Sequence, residues 1–182
     1  AGDYTTDDIW SRKDAAGVSV KEALDGIGYR GSEAVGQRKL SAFLELHIEQ
    51  GPLLEAEGKT VGVVDRGQGI IWYDGRVTGF ESHAGTTPMP LRRDALSALS
   101  ELTLTIEKIA LAHAPNAVAT IGEVNIANPS RNVIPGEIAF TLDVRSPDAA
   151  VMDALDRDIR AALGEIAKRR RVEIALDQIW RK

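Results

Sequence analysis

Residues 61–182 predict an α+β fold, an antiparallel sheet with two helices packed on one of its faces, and residues 1–60 predict a separate, less regular segment ahead of it. Three observations carry this. The apolar pattern over 61–182 runs strand, helix, strand, strand, helix, strand. Two long stretches hold apolar residues three and four apart, the stripe of a helix with one buried face. The stretch Glu137–Arg145 alternates without a break, as a strand with one buried face must. A βαββαβ unit of this kind closes as the ferredoxin-like split βαβ.

Taken in order, residues 70–82 read as an extended segment with turn chemistry at Asp74-Gly75. Residues 93–113 place Leu99, Leu102, Ile106 and Ile109 on one helical face. Strands are expected at 117–126 and 133–145; in the second, Ile138, Phe140, Leu142 and Val144 face one way and Glu137, Ala139, Thr141, Asp143 and Arg145 the other. Ser146-Pro147 has the form of a helix start, Ser as N-cap and Pro at the first helical position. The following helix is expected to bury Val151, Leu155, Ile159, Leu163 and Ile166, with the basic run Lys168–Arg171 at its C-terminus, where positive charge suits the macrodipole. A last strand, 172–180, completes the unit.

Residues 1–60 are rich in Gly and Asp. Ser19-Val20-Lys21-Glu22 is a capping box opening a short helix, which Gly26 and Gly28 stop. Phe43-Leu44-Glu45-Leu46-His47-Ile48-Glu49 alternates with period two and predicts a strand, Leu44, Leu46 and Ile48 on one face and Glu45, His47 and Glu49 on the other. Gly51-Pro52 ends it, and 52–57 predict a short helix closed by Gly58. So few strands hold too little core to be stable alone.

Composition narrows the function classes. The chain has 182 residues, 27% of them charged, and a net charge of -5, with no apolar window approaching the ~20 residues of a membrane helix. Mild acidity gives no electrostatic footprint for nucleic acid. Neither a secretory nor a transit signature opens the chain, and a cytoplasmic protein is expected. With no cysteine, thiolate metal sites, disulfides and cysteine nucleophiles are excluded, so any chemistry falls to His, carboxylates, Arg, Asn or hydroxyls.

Only three histidines exist. His113, near the end of the first long helix, is explained by capping or surface placement. His47 suits a zinc ligand, an imidazole flanked by carboxylates able to orient its second nitrogen, but zinc takes about four ligands, and second neighbours on a strand lie about 7 Å apart. Spacing alone favours a surface or hydrogen-bonded His47. His83 stands in Ser82-His83-Ala84-Gly85-Thr86-Thr87-Pro88-Met89, a loop of small residues from which it either donates to a developing oxyanion or caps the neighbouring helix. Asn132 lies in the inter-strand loop Pro129–Gly136. Arg145 ends a strand on its polar face, as a clamp for a substrate carboxylate or as a salt bridge to Asp143 or Asp148.

Together, Glu45–Pro52 (ELHIEQGP), Ser82–Met89 (SHAGTTPM), Arg92–Ala95 (RRDA), Arg131–Gly136 (RNVIPG) and Asp143–Ser146 (DVRS) form a series that resembles the peptidase M20-type amidohydrolases of the N-carbamoyl-L-amino acid hydrolase, allantoate amidohydrolase and β-ureidopropionase group, over almost the whole chain. The resemblance implies that 61–182 is a lid and dimerisation domain. It implies that 1–60 is a partial segment of an α/β catalytic domain holding two divalent metal ions, zinc or manganese, in the full-length enzyme. It makes His47 a metal ligand. It gives His83 and Asn132 catalytic and substrate-binding roles, often in the partner subunit's site, makes Arg145 the carboxylate grip, and adds Gln68 as a substrate contact. A homodimer acting on a small ureido or carbamoyl substrate is implied.

The family's His-x-Asp segment, bridging Asp, Glu-Glu pair and C-terminal His have no match here, so the chain is expected to be a fragment, inactive alone and able to lack bound metal. Two rivals remain open: a non-enzymatic ferredoxin-like dimerisation or ligand-binding module, and an M20-type peptidase or deacylase. Convergence of His83, Asn132 and Arg145 on one pocket is the feature expected to separate enzyme from module.

Overall fold

The computed structural model describes residues 4–33 and 39–182. The chain divides into two units, 1–61 and 62–182.

In the first unit, capping boxes open two short helices. Thr5 and Asp8 cap α1 (Thr6–Trp10), and Ser19 and Glu22 cap α2 (Val20–Gly26). The second matches the sequence expectation. The first was not foreseen, because its reciprocal carboxylate is Asp where Glu or Gln is usual. Gly28 sits at φ +71, and Gly58 at φ +65 follows α3 (Leu53–Ala56), as expected of helix stops.

The strand expected at 43–49 does not form. The segment carries no strand pairing among the described residues, and Leu44 and Leu46 are 95% and 102% exposed. Alternation marks a face to be buried, but a strand exists only when a neighbour takes its backbone N–H and C=O groups.

The second unit holds β1 (Gly69–Thr78), β2 (Ser82–His83), a 3-10 turn (Met89–Leu91), α4 (Ala95–Ala112), β3 (Val118–Ile126), β4 (Val133–Ile134), β5 (Glu137–Ser146), α5 (Ala149–Arg170) and β6 (Glu173–Arg181). The long strands form one antiparallel sheet in the order β3-β5-β1-β6, the ferredoxin-like arrangement. The core lies between one sheet face and both helices. Ile71, Tyr73 and Val77 of β1 and Ile138, Phe140, Leu142 and Val144 of β5 meet Leu99, Leu102 and Ile106 of α4 and Leu155, Ile159 and Ile166 of α5.

Four sequence expectations change. Asp74-Gly75 makes no turn, and β1 runs straight through it with Gly75 facing Phe140. A Cβ on Gly75 would lie 2.2 Å from Phe140 Cζ, so the glycine is a seat for the ring. The stretch 133–145 is two elements, because Pro135 and Gly136 part β4 from β5. Proline cannot donate to a ladder, and Gly136 has no room for a Cβ, which would fall 2.8 Å from Glu81 N. Helix α5 is capped by Asp148, not Ser146: Asp148 Oδ1 accepts from Ala150 N–H at 2.8 Å, while buried Ser146 Oγ accepts from Asp148 N–H at 3.1 Å. Its buried stripe begins at Met152, with Val151 only half-buried.

The basic run closes α5 as expected. Arg169 and Arg170 pair with Glu101 of α4, and these contacts, the Arg170 hydrogen bond foremost, hold the Glu101 carboxyl below its ordinary value. Arg171 takes the left-handed cap position at φ 57. His113 is the C-cap of α4, 3.5 Å from Asp158.

Candidate functional site

Two groups of candidate residues lie in the second unit. The first is built on the β2–β4 ribbon, which pairs Ser82 with Ile134 and His83 with Val133. Ala84 N–H donates to Asn132 O at 2.8 Å, so the loop after β2 and the loop before β4 meet. Gly85 N–H donates to His83 Nδ1 at 3.0 Å, which leaves the proton of the neutral ring on Nε2. Ser130 Oγ donates to Asn132 Oδ1 at 2.9 Å, and among the described residues no hydrogen bond takes the Asn132 NH2. Both exposed side chains therefore offer N–H donors outward, the chemistry that receives a developing oxyanion.

Arg92 holds this loop from behind. Its Nη2 donates to Ala84 O at 2.7 Å and its Nε to Thr87 O at 3.1 Å. The Arg-Arg dipeptide alone does not say which arginine turns inward. In Arg92→Ala, the loss of two charge-assisted bonds, each worth about 1.5–3 kcal/mol, is expected to loosen the loop alone. Hydrogen exchange should show the Gly85 and Thr87 amides losing roughly tenfold or more of their protection while those of Ile71 and Leu142 keep theirs.

The second group lines a groove of about 610 Å³ on the sheet face that carries no helix, where Gln68 and Arg145 stand together with Trp72, Asp143 and Ile179. Arg145 makes the salt bridge that spacing allowed: Nε lies 3.0 Å from both Asp143 oxygens and Nη2 2.6 Å from Oδ2, bonds that raise the guanidinium pKa further. Asp143 thereby engages one edge of the fork. The Nη1–Nη2 edge, with its paired N–H groups, is left to meet a carboxylate.

The expected convergence of His83, Asn132 and Arg145 on one pocket is not what the fold makes. Asn132 precedes β4 near the Glu137 end of β5, whereas Arg145 lies eight residues further along the same extended strand, about 27 Å at ~3.4 Å per residue. Within one chain, His83 pairs with Asn132 and Gln68 with Arg145.

In the first unit His47 is exposed, with Nδ1 2.5 Å from Ile48 O. A carbonyl only accepts, so Nδ1 carries the proton and Nε2 keeps the lone pair a metal would use. Glu49 does not orient the ring; its carboxylate accepts from Leu53 and Leu54 N–H at 3.0 and 3.1 Å, capping α3. Among the described residues no three His, Asp or Glu side chains gather to hold a metal ion, and His47 by itself does not fit a metal pair. No helix among them is long and apolar enough to cross a membrane.

Residues 67–171 match the family model of the M20 peptidase dimerisation domain. The chain belongs to this family. The M20 match covers every element from β1 to the end of α5. Over 179 residues the M20 chain is 40% identical to an N-carbamoyl-L-amino-acid amidohydrolase of Rhizobium meliloti, covering 98% of this chain and 43% of that protein. It is 38% identical over 167 residues to the allantoate amidohydrolase of Escherichia coli (strain K12), 88% of this chain and 40% of that one. A crystal structure of a hydantoinase/carbamoylase family amidase from Burkholderia multivorans superposes with a TM-score of 0.90 at 48% identity, over 98% of this chain and 43% of that one. The M20 chain thus spans less than half the length of the relatives it matches.

Proposed function

We propose that this chain is the substrate-gripping part of a longer cytoplasmic amidohydrolase subunit that cleaves the C–N bond of an N-carbamoyl amino acid or related ureido acid. The observation that carries it is the groove holding Gln68 beside the open guanidinium edge of Arg145, a seat for the carboxylate these substrates share. The relatives' names favour the carbamoyl-cleaving branch over a peptidase or deacylase.

In this reading Arg145 takes the substrate carboxylate and Gln68 meets the adjoining amide. His83 Nε2–H and the Asn132 NH2 donate to the ureido oxygen as it gains negative charge. A pair of zinc or manganese ions, held in the longer subunit with His47 as one ligand, would supply the activated water. Water adds to the carbonyl carbon, the bond to the amino nitrogen breaks as that nitrogen takes a proton, and the carbamic acid released alongside the amine falls apart to ammonia and carbon dioxide.

The separation of about 27 Å along β5 is too long for one small substrate to bridge, and it is resolved if His83 and Asn132 serve the partner subunit's site in a homodimer. The exposed edge of β3, beside the outward Leu104 and Leu111 of α4, supports pairing through this domain. A full-length enzyme is expected to hydrolyse N-carbamoyl-L-amino acids or allantoate and to lose that activity with chelator. The 182-residue chain with added zinc or manganese should show none. Turnover by the short chain would sink this reading.

A further inference from the structure

We propose that the groove beside Arg145 selects ureido acids whose side chain is large and apolar, with Trp72 as the specificity-determining wall; this rests on the carboxylate grip proposed above. Strand register places Ile70 and Val118 opposite Arg145, and Trp72 and Thr120 opposite Asp143, on either side of β5. The Trp72 indole is steadied by Trp180, with ring centroids 5.3 Å apart. The register shift beside Trp72 in the β1–β6 pairing turns Ile179 into the groove as well.

Trp72, Val118 and Ile179 are 44%, 50% and 55% exposed, so three large apolar groups stand in solvent around the carboxylate seat. Cross-strand neighbours lie about 5 Å apart and diagonal ones about 7–8 Å. A Cα tethered by its carboxylate to Arg145 therefore carries its side chain over the indole. Asp143 is already engaged by Arg145, and Thr141 Oγ1 accepts from Glu123 N–H at 3.1 Å, while the Thr120 hydroxyl lies across β5 from Trp72. Asp74, one strand position pair beyond Trp72, makes the far end acidic and disfavours acidic side chains. A second ureido arm, as in allantoate, would meet an indole whose one polar group is its Nε1–H, too few partners for a ureido carbonyl and its N–H groups.

The test compares kcat/KM of the full-length enzyme for N-carbamoyl-L-phenylalanine, -leucine, -glycine and -aspartate and for allantoate. Phenylalanine and leucine derivatives are expected to exceed glycine by roughly tenfold or more, and aspartate to fall below it. Trp72→Ala should collapse most of that ratio, chiefly through KM, while Trp72→Phe keeps it. Ile179→Ala, at a more exposed position, should reduce it about threefold and decides the matter if Trp72→Ala does not fold. A preference for glycine or allantoate, or a ratio untouched by both variants, would overturn the wall and leave the amidohydrolase reading standing. An enzyme that turned over none of the five would overturn both.

Discussion

Mixing full-length His83→Ala and Arg145→Ala subunits is expected to restore about a quarter of the wild-type rate, although each variant alone is nearly inactive. Removing one oxyanion donor costs about 10²–10³-fold in kcat. Removing the Arg145 fork forfeits two charged hydrogen bonds, about 10²-fold in kcat/KM. If each site takes Arg145 from its own chain and His83 from the partner, a mixed dimer has one site lacking both groups and one lacking neither. Random exchange makes half the dimers mixed, with half their sites intact. If both groups served the same chain's site, every mixed site would lack one of them and the rate would stay low. Steady-state kinetics before and after subunit exchange reads the outcome, and exchange between wild type and the double variant gives the matched control.

The second large effect concerns the Gly75–Phe140 seat. Phe140→Ala is expected to cost about 3–5 kcal/mol, the range for truncating a fully buried aromatic side chain. Gly75→Ala puts a methyl where the ring now sits, 2.2 Å from Cζ, and overpacking of this kind costs about 1–3 kcal/mol. The two act on one volume, so the double variant should be less destabilised than the sum, by at least about 0.5 kcal/mol. Urea unfolding of the four proteins reads the cycle. Strict additivity would show that the ring finds other room when the methyl arrives.

The same pair shows where sequence reading stops. Asp-Gly is strong turn chemistry locally, and nothing within a few residues of Gly75 says that an aromatic ring 65 positions later requires the missing side chain. By contrast Ile138, Phe140, Leu142 and Val144 were legible because one face of β5 is buried along its whole length, so period two is written without interruption. Leu44, Leu46 and Ile48 carry the same signal and yet form no strand, since pairing is a property of two segments and alternation of one. The helices followed the same logic. Their stripes were plain, but Ser146 looked the better cap until Asp148 took the helix N–H groups and left Ser146 to close the preceding turn.

At the candidate site, residue types were readable and their company was not. His83 and Asn132 meet only because a two-residue ribbon folds the two loops together. Arg145 was open to a clamp or a salt bridge, and it makes the bridge to Asp143 with its Nη1–Nη2 edge left unengaged. Gln68, which the spacing did not single out, shares a groove with Arg145. Arg92, which fastens the His83 loop, had no signal to separate it from Arg93.

The sheet also ties its own ends. Ile70 N–H donates to Lys182 O at 3.2 Å and Lys182 N–H to Ile70 O at 3.1 Å, so the start of β1 and the end of β6 lie side by side as one doubled stem. A body attached by two adjacent strands can be spliced into a surface loop of a host without prising that loop apart. In such a mounting the core between the sheet and its two helices stays apart from the point of attachment.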